Sequence, residues 1–254
     1  MSLSPDSSVV SALYPSANAG ERRNGIRPYL IILHYTGMVS AEKAIEWLAH
    51  PDSNVSCHYV VDEVGTVTQM VPEDMRAWHA GASHWSGETD VNSASIGIEI
   101  QNVGHPNGYP DFPAAQMQSV AALCRDIAKR RNVAPQGVLA HSDVAPGRKI
   151  DPGEKFDWAW LAREGVGHWV EPAAPTDPCE PEVAEGPQVE EAQRLLRHYG
   201  YDAEPHGRLD DRTRVLVRAF QLHFRPLRAD GRLDAGTLDT LTRLVAALPV
   251  PVTS

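Results

Sequence analysis

The chain contains few cysteines, and their number and spacing argue against a disulfide framework. Three occur in 254 residues, at Cys57, Cys124 and Cys179, and they are scattered over the sequence. Domains that depend on disulfides usually carry an even and closely spaced set. We therefore expect free thiols in a reducing compartment, with Cys57 as a small buried residue in a strand.

Long apolar segments are also missing. No apolar run reaches the roughly 18 residues that a membrane-spanning helix needs. The first segment, MSLSPDSSVVSALYPSANAGERRNG, lacks the basic start and the apolar core, roughly 7–15 residues long, of a secretory signal. We expect a cytoplasmic protein without a membrane span. The alternative is a periplasmic protein whose export signal has been cut away.

Positive charge and the common nucleotide-binding motifs are scarce. The 23 lysines and arginines are outnumbered by 33 aspartates and glutamates, which gives a formal net charge of -10. There is no basic stripe of the kind that binds nucleic acids or anionic membranes. The P-loop, the G-x-G-x-x-G fingerprint and the G-x-S-x-G elbow are absent as well. The sequence therefore favours neither a nucleic-acid partner nor a Ser-His-Asp hydrolase.

Proline and acidic residues are concentrated in one segment, EPAAPTDPCEPEVAEGPQ, which has no aromatic residue. Such a composition is typical of a stiff, solvated linker. We place this linker at residues 171–187, between a large domain at 21–170 and a small domain at 188–249. Residues 1–20 then form an N-terminal extension.

The large domain alternates between strand and helix patterns. Strand-like runs occur at YLIILHYT, CHYVVDEVGTVTQMV and SIGIEIQN. One helical pattern follows Ser40 as its N-cap, and a longer one fills PAAQMQSVAALCRDIAKRR. This alternation predicts an α/β fold with a central mixed β-sheet flanked by helices.

The small domain is predicted to be a bundle of three helices. Apolar stripes at helical spacing occur in QVEEAQRLLRHYGY, LDDRTRVLVRAFQLHF and LDAGTLDTLTRLVAAL. Aspartates precede the helices, and glycines occupy the turns. With about 60 residues the bundle has the size of a binding module.

Two histidines and an aspartate form a candidate metal site. His34 ends the first strand-like run, His141 ends the short strand VLA, and Asp151 follows ten residues later. A catalytic zinc takes three such ligands and leaves the fourth position to water. The residues by themselves leave other roles open. His34 could be a packed side chain, His141 an exposed one, and Asp151 the cap of a helix near EKFDWAWLA.

Glu99 and Lys149 are candidates for proton transfer and charge stabilisation. Glu99 lies on the strand face opposite the isoleucines, where a partly desolvated carboxylate can act as a general base. Lys149 precedes Asp151 by two residues, so its charge could stabilise an oxyanion. Solvated positions for both side chains are the alternative.

The segment AWHAGASHW carries aromatic side chains in a loop rich in glycine and alanine. Indole and imidazole rings suit a sugar or peptide ligand. Trp78 and His79 are therefore candidate substrate-binding residues. The alternative is a structural role, with Trp78 closing the core beneath the loop.

Five motifs in order resemble a known enzyme family. They are IILHYTG, VSCHYVVDEVGTVTQMV, AWHAGAS, SIGIEIQN and HSDVAPGRKIDPG. Over about residues 20–170 they resemble the zinc-dependent N-acetylmuramoyl-L-alanine amidases of the amidase-2 family, which are related to peptidoglycan recognition proteins. The tail is similar to three-helix peptidoglycan-binding domains, and DGRLDAGTLDTL resembles their helix-start signature.

The resemblance implies a hydrolase with one Zn²⁺ per chain. Position by position, it implies His34, His141 and Asp151 as the zinc ligands. It likewise implies Glu99 as the catalytic glutamate and Lys149 as the lysine that stabilises the oxyanion. The implied reaction is hydrolysis of the amide between N-acetylmuramic acid, or its 1,6-anhydro form, and the L-alanine of a peptidoglycan fragment.

The family varies at the residue before the histidine of the second motif. Some relatives carry a tyrosine where this chain has Cys57, so we expect Glu99 alone to carry the proton transfers. We expect a monomer that binds muropeptides during cell-wall recycling. A non-catalytic recognition protein and a periplasmic wall-remodelling amidase are the alternatives.

Overall fold

The computed structural model describes residues 3–174 and 182–249. Part of the expected linker lies outside the described residues, and so does Cys179. Within these ranges the chain forms eight strands and eight α-helices. The limits expected for the extension, the two domains and the linker stay predictions.

Six strands form one mixed sheet. In chain order, the eight strands of the described residues are β1 (Ala12–Leu13), β2 (Ala19–Glu21), β3 (Leu30–Tyr35), β4 (Tyr59–Val61), β5 (Val67–Gln69), β6 (Met75–Ala77), β7 (Ser95–Ile100) and β8 (Val138–Ala140). The order in the main sheet is β1-β5-β4-β7-β3-β8, and β2 pairs with β6 separately. Strands β4, β7, β3 and β8 are parallel, whereas β5 runs antiparallel to β4. The expected mixed sheet is confirmed.

Helices flank the sheet, and several begin at the residues that the sequence indicated. They are α1 (Ala41–Ala49), α2 (Val91–Ala94), α3 (Ala114–Arg131), α4 (His141–Val144), α5 (Trp158–Arg163), α6 (Pro187–Tyr199), α7 (Asp211–Phe224) and α8 (Ala235–Ala246). The Ser40 hydroxyl accepts a hydrogen bond from the Lys43 amide at 3.3 Å and caps α1. Helix α5 is capped by Asp157, so Asp151 is not the cap of that helix.

Successive side chains of a strand point to opposite faces of the sheet, and both faces of this sheet are covered. On one face, Ile31 and Leu33 of β3 pack with α3. On the other face, Leu30 and Ile32 belong to the same apolar cluster as Phe220 of α7. The three C-terminal helices, which confirm the predicted bundle, therefore share a hydrophobic core with the sheet.

The first twenty residues also contribute to the sheets. Strand β1 pairs in parallel with β5 at the edge of the main sheet, and β2 pairs with β6.

Within residues 3–174 and 182–249, no helix combines the length and the apolar character that crossing a membrane requires.

Candidate metal centre and active site

The candidate site lies where three parallel strands end. His34 is near the end of β3, and in the β3–β7 register it stands directly beside Glu99. Strand β8 ends at Ala140, so the next residue, His141, begins α4. Because carboxyl ends of parallel strands meet at one edge of a sheet, residues distant in sequence come together here.

His34, His141 and Asp151 form one compact buried cluster. Nδ1 of His34 lies 2.8 Å from Nδ1 of His141. The Asp151 Oδ2 atom lies 3.0 Å from Nδ1 of His141 and 3.3 Å from Nδ1 of His34. The exposed fractions of the three residues are 1, 2 and 6 %. These are the three residues expected as ligands, and the fold brings them together.

Hydrogen bonds fix which nitrogen of each ring carries the proton. Nε2 of His141 donates to the Ala80 carbonyl at 3.2 Å. The Ser95 hydroxyl donates to the Val91 carbonyl at 2.5 Å, so it accepts from Nε2 of His79 at 3.2 Å. Nδ1 of His79 is then unprotonated and accepts from Nε2 of His34 at 3.0 Å.

It follows that Nδ1 of His34 and Nδ1 of His141 carry lone pairs, which point toward each other and toward the Asp151 carboxylate. Burial and the nearby His141 lower the pKa of His34 to about 4. Such lone pairs repel unless a cation lies among them. This donor set of two imidazoles and one carboxylate fits a divalent metal ion.

Glu99 lies beside His34 of this cluster in the register of β3 and β7. Its Oε2 atom is buried and has no hydrogen-bond partner among the described residues. Burial and the negative charge of Asp151 raise the pKa of Glu99 well above its usual range, while Lys149 acts in the opposite direction. A carboxyl group with a raised pKa in a cavity is typical of a proton-transfer residue.

A cavity of about 420 Å³ opens over the cluster. All of the candidate site residues line it: His34, Trp78, His79, Glu99, His141, Lys149 and Asp151. Their assigned roles stay predictions. Trp78 is half-buried at the wall, whereas His79 lies behind His34 with both ring nitrogens hydrogen-bonded.

The structure adds cavity residues that the sequence reasoning missed. Trp47 of α1 lines the cavity with 48 % of its surface exposed. Arg148 donates to the carbonyls of Ala80 and Ala82. It therefore holds in place the Ala80 carbonyl that accepts from Nε2 of His141. An exposed tryptophan on an otherwise charged helix face was the available signal for Trp47. No comparable signal in the sequence pointed to Arg148.

The fold and the site define an α/β protein with a candidate metal centre, in which two histidines and an aspartate gather at the carboxyl ends of parallel strands. The family model described as N-acetylmuramoyl-L-alanine amidase matches residues 24–154. A second model, described as a putative peptidoglycan binding domain, matches residues 185–241. The chain belongs to the N-acetylmuramoyl-L-alanine amidase family, and it is an enzyme that hydrolyses the bond between N-acetylmuramic acid and L-alanine.

Relatives in both comparisons cover most of the chain. The N-acetylmuramoyl-L-alanine amidase AmiD of Escherichia coli is 37 % identical over 229 residues, covering 82 % of this chain and 79 % of AmiD. A structure of AmiD with anhydro-N-acetylmuramic acid-L-Ala-D-gamma-Glu-L-Lys has a TM-score of 0.73 at 34 % identity and covers 87 % of this chain and 89 % of AmiD. AmpDh3 of Pseudomonas aeruginosa, in complex with an anhydromuramic pentapeptide, has a TM-score of 0.73 at 29 % identity, covering 90 % and 95 %.

Proposed function

We propose that this amidase uses one zinc ion and cleaves anhydromuropeptides during cell-wall recycling. The observation that carries the proposal is the inward-facing donor set of His34, His141 and Asp151 beside Glu99. A zinc ion held by these three side chains would polarise the scissile carbonyl and lower the pKa of the attacking water. The family match also favours the enzyme over the non-catalytic recognition protein that we considered.

Glu99 and Lys149 supply the remaining chemistry. The Glu99 carboxylate takes a proton from the attacking water and then, protonated, delivers it to the nitrogen of the departing L-alanine. The environment of Glu99, which favours the protonated form, suits the second of these steps. Lys149 lines the same cavity and places a positive charge where the carbonyl oxygen becomes negative.

The cavity and the relatives together support the substrate class. Polar groups occupy the floor, and the indoles of Trp47 and Trp78 lie on its walls, which suits a ligand that is part sugar and part peptide. Two relatives have structures with anhydromuropeptides bound. A cytoplasmic location and a monomeric state stay predictions, which cell fractionation and light scattering would test.

The test combines metal analysis with product identification. Purified protein is expected to contain about one zinc per chain and to release the free peptide from an anhydromuramyl tripeptide, as detected by mass spectrometry. His34→Ala should lose the metal and the activity, whereas His198→Ala, at an exposed position on α6, should keep both. Glu99→Gln should keep the metal and lose about 10²- to 10⁴-fold in kcat. Full turnover by demonstrably zinc-free protein would overturn the metal assignment.

The anhydro preference has its own measurement. The wild-type enzyme is expected to have a higher kcat/KM for the 1,6-anhydro fragment than for the same fragment with a reducing-end muramic acid. Equal kcat/KM values for the two would leave the amidase activity intact and contradict the recycling role.

A further inference from the structure

A buried carboxylate joins the C-terminal helices to the active-site helix. Asp143 belongs to α4, and its side chain has no exposed surface. Its Oδ1 atom accepts a hydrogen bond from the Tyr201 hydroxyl at 2.6 Å. Its Oδ2 atom accepts from Nδ1 of His223 at 2.6 Å and from the Ala140 amide at 2.8 Å. Two of these three donors come from the C-terminal region.

The two C-terminal donors are themselves firmly held. The His223 ring is stacked between Trp158 and Phe224, with ring centroids 3.6 and 3.7 Å away. The Tyr201 ring packs edge-to-face on Trp85 at 4.9 Å. Because both side chains are fixed by aromatic contacts, their hydrogen bonds fix the orientation of Asp143.

Asp143 in turn holds the backbone from which His141 projects. Helix α4 is a single turn that begins at His141, and Asp143 binds the amide of the residue just before it. The same turn also binds the backbone of Asp151, because the Ser142 amide donates to the Asp151 carbonyl at 3.0 Å. A shift of α4 would therefore move His141 and disturb Asp151.

We propose that Tyr201 and His223 are positioning residues of the amidase, which act through Asp143 on the orientation of His141. The C-terminal helices are then part of the catalytic apparatus, beyond any role in binding peptidoglycan. The proposal rests on the proposed function, since it takes His141 as a metal ligand. Substitution of a residue that orients a metal ligand typically lowers metal affinity or activity by about 10- to 100-fold.

The test uses a pair of matched tyrosine variants of the full chain. Tyr201→Phe removes the hydroxyl that binds Asp143, while Tyr199→Phe removes a buried hydroxyl that contacts His168 at 3.0 Å. Zn²⁺ affinity is measured by competition with a chelator, and kcat and KM are measured on an anhydromuramyl tripeptide. We expect Tyr201→Phe to weaken Zn²⁺ binding about 10-fold and to lower kcat with KM nearly unchanged. Tyr199→Phe should keep the wild-type affinity and kcat.

A histidine pair provides an independent measurement. His223→Phe keeps a flat ring between its aromatic neighbours but cannot donate, so it should reproduce the loss seen with Tyr201→Phe. His223→Asn keeps a donor near the Nδ1 position and should retain more Zn²⁺ affinity than His223→Phe. Each tyrosine variant removes only one oxygen atom. If a histidine variant does not fold, the two tyrosine variants by themselves therefore test the positioning role.

The outcomes separate this proposal from the proposed function. Wild-type Zn²⁺ affinity and kcat in Tyr201→Phe would overturn the positioning role, whatever the change in melting temperature. A wild-type chain that binds no Zn²⁺ would contradict the proposed function itself.

Discussion

Three buried imidazoles at the active site differ in what their ring nitrogens face. His34 and His141 direct Nδ1 toward Asp151, whereas His79 accepts from Nε2 of His34 and donates to Ser95. Hydrogen-bonding partners of this kind fix the tautomer and ring orientation of a metal-binding histidine. His79 therefore has a structural reason to be at the site, besides the substrate-binding role that the sequence indicated.

The variant His79→Ala separates these two roles. We expect a 10- to 100-fold loss of Zn²⁺ affinity, because Nε2 of His34 would lose its acceptor. The KM of the zinc-saturated variant should remain near the wild-type value. Chelator competition and steady-state kinetics measure the two quantities, with His198→Ala as the exposed control. A raised KM with unchanged Zn²⁺ affinity would instead favour the substrate-binding role.

His58 is another buried imidazole, held away from the cavity in a neutral state. Its Nδ1 atom accepts from the Gly97 amide at 3.0 Å, and its Nε2 atom donates to the Met75 carbonyl at 3.1 Å. Burial and the nearby Arg22 guanidinium lower the pKa of His58 to about 3. In the unfolded chain a histidine titrates near pH 6.5, so the unfolded state binds more protons between these two pH values.

The pKa of His58 predicts loss of stability in acid. The free energy of unfolding should fall as the pH drops from about 6.5 toward 3, because unfolding then takes up a proton. His58→Gln, which does not titrate, should be less stable at pH 7 but should show a shallower pH dependence. Over this range we expect the free energy of unfolding of the wild type to fall by at least about 1 kcal/mol more than that of His58→Gln. Urea unfolding of metal-free protein measures this, and identical slopes would contradict it.

At the scale of elements, helix α1 places an aromatic side chain over the cavity. The Ser40 cap begins the helix, and Ala44 and Leu48 bury its inner face. Trp47 consequently lies at the cavity wall, where its ring stacks on His50 with 12° between the ring planes. The helix thus places an indole side chain among the residues that line the cavity.

Truncating this side chain should affect binding more than chemistry. Trp47→Ala is expected to raise KM for an anhydromuramyl tripeptide by several-fold, because a contact with an aromatic ring contributes about 0.5–1.5 kcal/mol. The value of kcat should change little. Lys43→Ala, at an exposed position of the same helix, is the control and should leave both constants unchanged. A KM unaffected by the loss of Trp47 would exclude it from the binding surface.

At the scale of the whole molecule, the C-terminal helices and the sheet share one hydrophobic core, so we expect them to unfold as one cooperative unit. Phe220 of α7 is fully buried in a cluster that also contains Ile32 of β3 and Leu139 of β8. The linker composition predicted a large and a small domain, and the sequence left open whether the two pack against each other. The shared core shows that packing joins the described parts on either side of it.

Phe220→Ala tests this cooperativity. Removing a buried phenylalanine side chain is expected to cost about 3–5 kcal/mol. Tryptophan fluorescence and amidase activity should be lost in one coincident transition, at a lower denaturant concentration than in the wild type. The exposed side chain of Leu227 provides a control, since Leu227→Ala should change stability by less than about 0.5 kcal/mol. Early loss of the C-terminal helices with retained activity would show two independent units.

Much of the fold could be predicted from periodicity and capping. The alternation in SIGIEIQN corresponds to β7, Ser40 caps α1, and three amphipathic stripes became α6, α7 and α8. These signals are local, because each depends on residues within a few positions of one another. The edge strand β1 was missed, since two residues carry no periodic pattern.

The sequence by itself determined the chemistry available: His34, His141 and Asp151 as donors, with Glu99 and Lys149 as candidate partners. Only the tertiary structure decided that these side chains meet, because the parallel register of β7, β3 and β8 aligns strand ends from distant segments. It also placed His79 behind His34 and brought Tyr201 and His223 to Asp143. Contacts over such separations depend on how whole elements pack, which no spacing along the chain encodes.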